Sequence, residues 1–558
     1  MSATAASPRP LWPEFLEPVP VLIQRSTAGG YRMFRESAIP LHRDDMFSRW
    51  WKENSAAMIR AGWQLSIFNG KSRLTQWLLM GGGLTPISAE KVARMDAARQ
   101  MSLPLEEAPL VLDPLPEALE RKLRDYQVTP ARQLYRAITR GPQEWGYPGA
   151  VDLSDMGTGK TYMALAAALA TGKAVIVLCP VVGRAGWERA FAHFGADAHF
   201  IGTYEGLRAG NRPHIVEQML DGTFRWKQHG EIILILDEAQ ALRHDETLNV
   251  RLCSAAVMQK VPIIVASATV AISPLEMRFA GRIVGLHRGA DDWTRFLLAH
   301  GCRRRTGAEG WKWDGETRHL AAIHARLFPG RGCRVRKEDL GAECPETEIS
   351  VLPIQCAAAS EIERQWRETQ DMLERLTAQG NGNTKMIERQ AMMRIWQASE
   401  AALVPAVADL VKADVRDGRS VALFVNFTDT RQQLSRLLNT NAGFYGGQNL
   451  KRRQHWEAEF QADRQHILIS NIGAGGASVS LHDINGWRPR TAYIFPTDHV
   501  VQMEQATGRV DRVGGKSKSL QFIPCVAGTL SERMVHRTRR KMLAISTLNN
   551  GRGGKSRF

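Results

Sequence analysis

Three short apolar runs constrain the fold of this chain more than any other feature. They are AVIVLCP (Ala174–Pro180), EIILILDEA (Glu231–Ala239) and VPIIVASAT (Val261–Thr269). Each is rich in β-branched residues, too short for a helix, bounded by turn residues and separated from the next by a helical pattern. Buried parallel strands joined by crossover helices read this way. A second set follows at Ser420–Phe427 (SVALFVNF), Gln465–Ser470 (QHILIS) and Thr491–Pro496 (TAYIFP). The expected class is therefore α/β, with two parallel-sheet lobes at residues 111–345 and 416–545.

Between the lobes, Ala357 to Val415 carries apolar residues at helical spacing, broken once by Gly380-Asn381-Gly382-Asn383. This predicts a helical bridging segment over residues 346–415. Residues 1–110 hold five of the fifteen tryptophans and end in LPLEEAPLVLDPLPEA, a Pro-rich linker. They are expected to form a separate N-terminal accessory domain. Met163 to Val182 is the most apolar stretch, but Thr171-Gly172-Lys173 and Pro180 divide it into a helix and a strand, so no membrane span is expected.

Lys and Arg outnumber Asp and Glu by 73 to 57, for a net charge of +16 and a pI near 9.7, which favours polyanionic partners. The seven cysteines are scattered and never spaced C-x-x-C, against both a disulfide framework and a zinc site. MSATAASPRP lacks the pattern of a signal or transit peptide. A reducing, cytoplasmic setting is the expectation.

Ser154–Thr161 reads SDMGTGKT and opens the helical run TYMALAAALA. A helix N-terminus offers unpaired N–H groups and a positive dipole end to phosphate, and Gly157 and Gly159 permit close backbone approach. Thr158 lies within the cradle. Lys160 is placed to reach the β- and γ-phosphates of ATP and Thr161 to put its hydroxyl on Mg²⁺. The run EIILILDEAQ then delivers Asp237 and Glu238 at a strand end, Asp237 to hold Mg²⁺ through water and Glu238 to polarise the attacking water. Two solvated acids ending a strand is the bland alternative.

SDMGTGKT, DEAQ and QATGRVDR (Gln505–Arg512), in this order, resemble motifs I, II and VI of superfamily-two helicases and translocases, in which serine in place of the first P-loop glycine is normal. The resemblance covers roughly residues 120 to 545. It implies two RecA-type lobes, with Gln240 closing motif II and Arg509 and Arg512 reaching the γ-phosphate from the second lobe. Three apart, these arginines are expected on one helix face. Within the superfamily the chain looks most like the Swi/Snf-type branch, including its fork-remodelling and annealing members. LRDYQ resembles the adenine-recognising entry motif, which brings in Tyr126 and Gln127. VIVLCPVVGRAGWERAF resembles motif Ia, IGTYEGL motif Ib, and SNIGAGGASVSL motif V, while CRVRKEDL (Cys333–Leu340) resembles the basic segment before the second lobe. Motif III departs from that branch as SAT (Ser267–Thr269), as do Gln240, Asp511 and Gly515.

The resemblance implies nucleic-acid contacts at Arg184, Thr203, Tyr204, Asn426, Thr428, Gly475, Gly476 and Ser478, each of which could instead be a helix cap or turn residue. Contacts of this kind meet phosphates and read little sequence. His42–Trp63 mixes basic residues with three tryptophans, as a base-stacking surface or, preferably, a small helical core. From Ser531 there are eight Lys/Arg against one acid, ending in a basic tail at 546–558 that reads as phosphate-tracking or solvated disorder. The expected activity is ATP-driven translocation on duplex or forked DNA, in a bacterial or bacteriophage setting, with replication or recombination proteins as candidate partners. A strand-separating DNA or RNA helicase and a non-catalytic nucleic-acid clamp are the alternatives.

Overall fold

The computed structural model describes residues 19–25, 31–38, 63–68 and 71–80 of the N-terminal stretch. It also describes residues 110–551, apart from short loops at 211, 244–246, 306–309, 346, 379–383 and 476–478. Residues 1–109 form one unit and 110–558 another. In the first, β1 (Val19–Arg25), β2 (Tyr31–Ala38), β3 (Trp63–Phe68) and β4 (Lys71–Met80) make an antiparallel sheet of order β1-β2-β4-β3. The expected helical core at His42–Trp63 lies, apart from Trp63 at the start of β3, outside the described residues.

The second unit contains both expected parallel sheets. In the first lobe, α1 (Asp125–Glu144) leads into β5 (Gly149–Asp152), α2 (Lys160–Leu169), β6 (Ala174–Leu178), α3 (Arg184–Phe194), β7 (Phe200–Gly202), β8 (Ile232–Asp237) and β9 (Ile263–Ala266). α4 (Arg318–Leu327) and β10 (Gly332–Cys333) complete it, and the sheet order is β10-β5-β9-β8-β6-β7. β8 is apolar throughout because both faces are covered: Ile233 to Leu236 are wholly buried. α2 is likewise buried all round from Met163 to Ala168, and its alanines permit close packing of helix on sheet. Register sets the chemistry. Asp237 pairs with Ala266, and Ala266 with Asp152, so the C-terminal ends of three central strands are level. Ligands of open α/β sheets bind at that edge.

In the second lobe, β11 (Thr347–Ile354), α5 (Ala359–Ala378), α6 (Thr384–Arg416), β12 (Ser420–Val425), β13 (Ile467–Asn471), β14 (Arg490–Ile494), α7 (Val500–Thr507), β15 (Ser519–Val526) and α8 (Leu530–Asn550) follow. Their parallel sheet has the order β11-β15-β14-β12-β13. The segment expected to bridge the lobes belongs to this one. β11 pairs with β15 along its whole length, and Ile362, Ile395, Leu403, Val407 and Val411 of α5 and α6 share a core with Val421 and Leu423. Burial of those apolar faces, unavailable to a free bridge, decides the placement.

The expected basic tail is also different. α8 continues through Asn550, past the boundary at 546. Its start packs in the second lobe through Leu530 and Val535, whereas Ala544 and Leu548 enter the core of the first. At about 1.5 Å per residue, a helix of this length spans about 30 Å, enough to join both cores. Residues 552–558 lie outside the described residues.

One buried ion pair offers a stability test. Arg490, 1% exposed, donates to Asp463 Oδ1 at 2.5 Å and to the Phe460 carbonyl at 3.3 Å, with its guanidinium over the Phe460 ring. Arg490→Ala strands the Asp463 carboxylate and is expected to cost about 3–5 kcal/mol, read as a lowered urea midpoint for the second lobe.

Candidate ATP site between the two lobes

β5 delivers Asp152 to the sheet edge, and the chain turns through Ser154–Gly159 into α2. Gly157 and Gly159 have φ of 80° and 89°, left-handed values that favour glycine. Space makes the same demand: a Cβ on Gly159 would lie 2.1 Å from Gln127 Nε2. That amide donates to the Thr158 carbonyl at 3.2 Å and the Tyr126 hydroxyl to the same oxygen at 3.1 Å, so the expected adenine-recognising pair buttresses the phosphate loop. The Thr158 hydroxyl is spent inside the loop, on the Asp155 carbonyl at 2.8 Å. Thr161 is half-buried in the first turn of α2.

Lys160 Nζ donates to the carbonyls of Ser154 at 2.9 Å and Asp155 at 3.1 Å. Burial lowers its pKa, opposed by the carboxylates of Asp152 and Glu238. Asp152, missed in the sequence, accepts from Ser154 N at 2.9 Å, and burial raises its pKa.

Asp237 accepts a 2.8 Å hydrogen bond from Trp187 Nε1, so the tryptophan of RAGWERAF orients the carboxylate at the end of β8. Burial and the neighbouring Glu238 charge push Asp237 up to about 7. Glu238 has φ of 52°, a left-handed conformation that costs a non-glycine residue about 1–3 kcal/mol, and its N–H donates to the Ala266 carbonyl at 3.2 Å. Strain of this kind accumulates where a side chain must be aimed. Only the backbone of Gln240 is described, in a short 3₁₀ turn. Arg243, also missed, binds the carbonyls of Thr269 and Val270 and lies 3.3 Å from Glu276, tying motif II to the SAT segment.

Arg509 and Arg512 come from the facing lobe, and not from a helix as expected. α7 ends at Thr507, with Gly508 as its cap, so both arginines occupy the turn beyond it. That turn is against the phosphate loop. A Cβ on Gly157 would lie 2.8 Å from Arg512 Cγ, and one on Gly508 would lie 3.0 Å from Met156. Arg509 is 3% exposed; burial, then Arg512, lowers it to about 9, while the Glu238 charge opposes that shift. Arg512 Nη1 donates to Ser480 Oγ at 2.8 Å. Glu504, another residue not singled out in the sequence, is raised to about 7 by burial and by Asp155.

These groups fit ATP and Mg²⁺. The glycine turn and helix N-terminus can meet phosphate oxygens, Lys160 is adjacent, and Asp237 with Thr161 could hold a metal whose remaining ligands are phosphate and water.

No protein-family model matches the chain. A protein of Acanthamoeba polyphaga mimivirus, named as an inferred ATP-dependent RNA helicase, is 28% identical over 431 residues, which cover 72% of this chain and 80% of that one. Two solved structures of S. cerevisiae Dbp5 bound to RNA and ADP BeF3, the second a point variant, are 14% identical. Each covers 78% of this chain and 92% of that chain, with TM-scores of 0.44 and 0.43.

The expected nucleic-acid contacts fare unevenly. Tyr204 is a correction: it is buried in the first-lobe core, its hydroxyl unpartnered and away from solvent, because the short helix it begins packs inward. Thr203 caps that helix, accepting from Gly206 N at 3.0 Å. Asn426 donates to Glu400 Oε2 at 2.7 Å and to the Pro496 carbonyl at 3.0 Å. Arg184 is exposed but ion-paired with Glu188 at 2.8 Å. Thr428 is exposed at a helix start, and Gly475 ends a short helix. Gly476 and Ser478 lie outside the described residues.

Separating the two acids tests the site. Glu238→Gln removes the carboxylate expected to polarise water and keeps Asp237, so hydrolysis should fall by about 10²-fold or more while ATP still binds. Equal loss of nucleotide binding, measured by fluorescent-nucleotide titration, would show that the two roles are misassigned.

Proposed function

We propose that this chain is an ATP-dependent helicase of superfamily two, hydrolysing ATP to drive one lobe against the other on a nucleic-acid strand. The observation that carries the reading is the meeting of Lys160, Asp237 and Glu238 from one lobe with Arg509 and Arg512 from the other. Lys160 neutralises the β/γ-phosphates and Glu238 aligns the attacking water. The two arginines meet the charge that builds on the γ-phosphate in the transition state. Asp237, oriented by Trp187, would hold Mg²⁺, which when bound would supply charge neutralisation. Because the site is completed from both lobes, hydrolysis and lobe movement are linked. A vestigial clamp would have no need of this full set.

Strand separation, on RNA or DNA, is the favoured action, supported by the likeness to the mimivirus protein named as an ATP-dependent RNA helicase and by the SAT sequence of motif III. Translocation along duplex DNA without unwinding is the second reading, supported by the likeness of GAGGASVSL and CRVRKEDL to Swi/Snf-type motors. The net charge of +16 suits either track. ATP turnover measured side by side with single-stranded RNA, single-stranded DNA, duplex DNA and forked DNA, together with unwinding of tailed duplexes, tests them. Stimulation by single strands with unwinding supports the first reading. Stimulation by duplex DNA, triplex-strand displacement and no unwinding support the second. No nucleic-acid stimulation on any track would overturn both.

A further inference from the structure

The segment Arg334–Pro345 leaves the first lobe after β10 and touches the catalytic loops of both lobes. On the first-lobe side it occupies both oxygens of Asp155 in the phosphate loop. Arg334 Nη2 donates to Asp155 Oδ1 at 2.6 Å, and Lys337 N to Asp155 Oδ2 at 2.9 Å. Arg334 also binds the Leu153 carbonyl and donates to Asn550 Oδ1 at 3.0 Å. On the second-lobe side, Lys337 Nζ lies 2.9 Å from Asp511 Oδ2 and donates to the Asp511 carbonyl as well. This pair is buried, its side chains 4% and 5% exposed. Cys344 Sγ reaches the other Asp511 oxygen at 3.5 Å, and Gly514 N donates to the Glu343 carbonyl at 2.9 Å.

Lys337 thus has its backbone on the phosphate loop and its ammonium on the turn that carries Arg509 and Arg512. Asp511 sits between those arginines in sequence, and it is the acid through which Lys337 acts. A buried carboxylate without its counter-charge is costly to keep in place, and the Asp511 charge bears on Arg512, the next residue of the same turn.

We propose that Lys337 is a positioning residue for ATP hydrolysis: by neutralising Asp511 while anchored on Asp155, it holds the Arg509–Arg512 turn in register with the phosphate loop and keeps both arginines available to the γ-phosphate. The proposal rests on the ATPase reading above. It assigns a task to CRVRKEDL that is independent of which nucleic acid is the track.

The test uses the full chain and three variants: Lys337→Met, Asp511→Asn and the double variant. Lys337→Met is expected to lower kcat by about 10²-fold, the scale of a misplaced catalytic group. Fluorescent-nucleotide Kd should stay within about threefold, since ground-state contacts are kept. Hydrogen exchange over residues 505–515 should rise. Asp511→Asn added to Lys337→Met removes the stranded carboxylate and should restore most of the turnover and the protection, a recovery that lost packing would not show. Unchanged exchange in Lys337→Met overturns the proposal even if the wild-type chain hydrolyses no ATP, the result that would instead sink the ATPase reading. Unchanged turnover, an equal loss of nucleotide affinity, or no recovery in a folded double variant also overturns it.

Discussion

Lys160→Ala is expected to take ATP turnover down to background, a loss of at least about 10²–10³-fold by comparison with the removal of a single preorganised donor at a developing charge. Its ammonium stands at the helix N-terminus within the influence of Asp152, Glu238, Asp155 and Asp237, so it is a cation that helps offset neighbouring acids as well as the incoming phosphates. Truncation leaves those acids facing the nucleotide with less opposing charge, and affinity for ATP should fall along with kcat. The fold should survive. The lysine's bonds are to the Ser154 and Asp155 carbonyls of its own loop, and α2 is held by the apolar packing of Met163 to Ala168. Circular dichroism and an unchanged denaturation midpoint check that part. Turnover within threefold of wild type would remove the nucleotide site from this loop.

Arg509→Ala and Arg512→Ala are expected to reduce turnover by about 10³-fold each, the lower end of what a transition-state arginine contributes in related phosphoryl transfers. Nucleotide affinity should change much less, because the charge they meet develops only as the γ-phosphate departs. Arg509 is buried and Arg512 half-buried, and Arg512 packs against Gly157, so truncation also removes contacts between the lobes. Arg→Lys versions keep a cation and most of that packing. If they are as inactive as the alanine variants while retaining the wild-type denaturation midpoint, the loss is in catalysis and not in lobe docking. Undiminished turnover in both alanine variants would mean that the second lobe does not complete the site.

How much was legible depended on whether a signal was local. β6, β8, β9, β12, β13 and β14 stand out because each is an unbroken apolar run between turn residues. β5 is GAVD and β10 only Gly332–Cys333, too short for any periodic signal, and both are strands because neighbours pair with them. β11 and β15 contain prolines, which argue against a strand read by itself. Pro353 is tolerated on the edge strand. Pro524 is tolerated because β14 pairs with β15 only over Leu520–Phe522, leaving Pro524 beyond that ladder. Placing α5 and α6 on the second lobe required knowing which sheet face lacked a cover, information no stretch of residues 357–415 carries alone.

Within the candidate site the division is similar. A phosphate loop is a glycine turn and a helix start, and a metal-holding acid is the last residue of a strand, so Gly157, Gly159 and Lys160 in one short stretch, and Asp237 and Glu238 in another, declare themselves from their immediate neighbours in sequence. Their order along the chain also carried the expectation of a second lobe and of Arg509 and Arg512. The left-handed backbone at Glu238 and the buried fate of Tyr204 were not readable, since both follow from neighbours brought in by the sheet. The same holds for the contacts that join distant segments: Arg334 to Asp155 across 179 residues, Lys337 to Asp511 across 174, and Asn549 of α8 to the Ala268 carbonyl in motif III across 281. The amino-acid sequence by itself determined which chemical groups the chain carries and which local turns present them, because those depend on a few adjacent dihedral angles and hydrogen bonds. Tertiary structure alone decided which charges neutralise one another and how the arginine turn meets the phosphate loop, because buried ion pairs form between residues that only the packed lobes make neighbours.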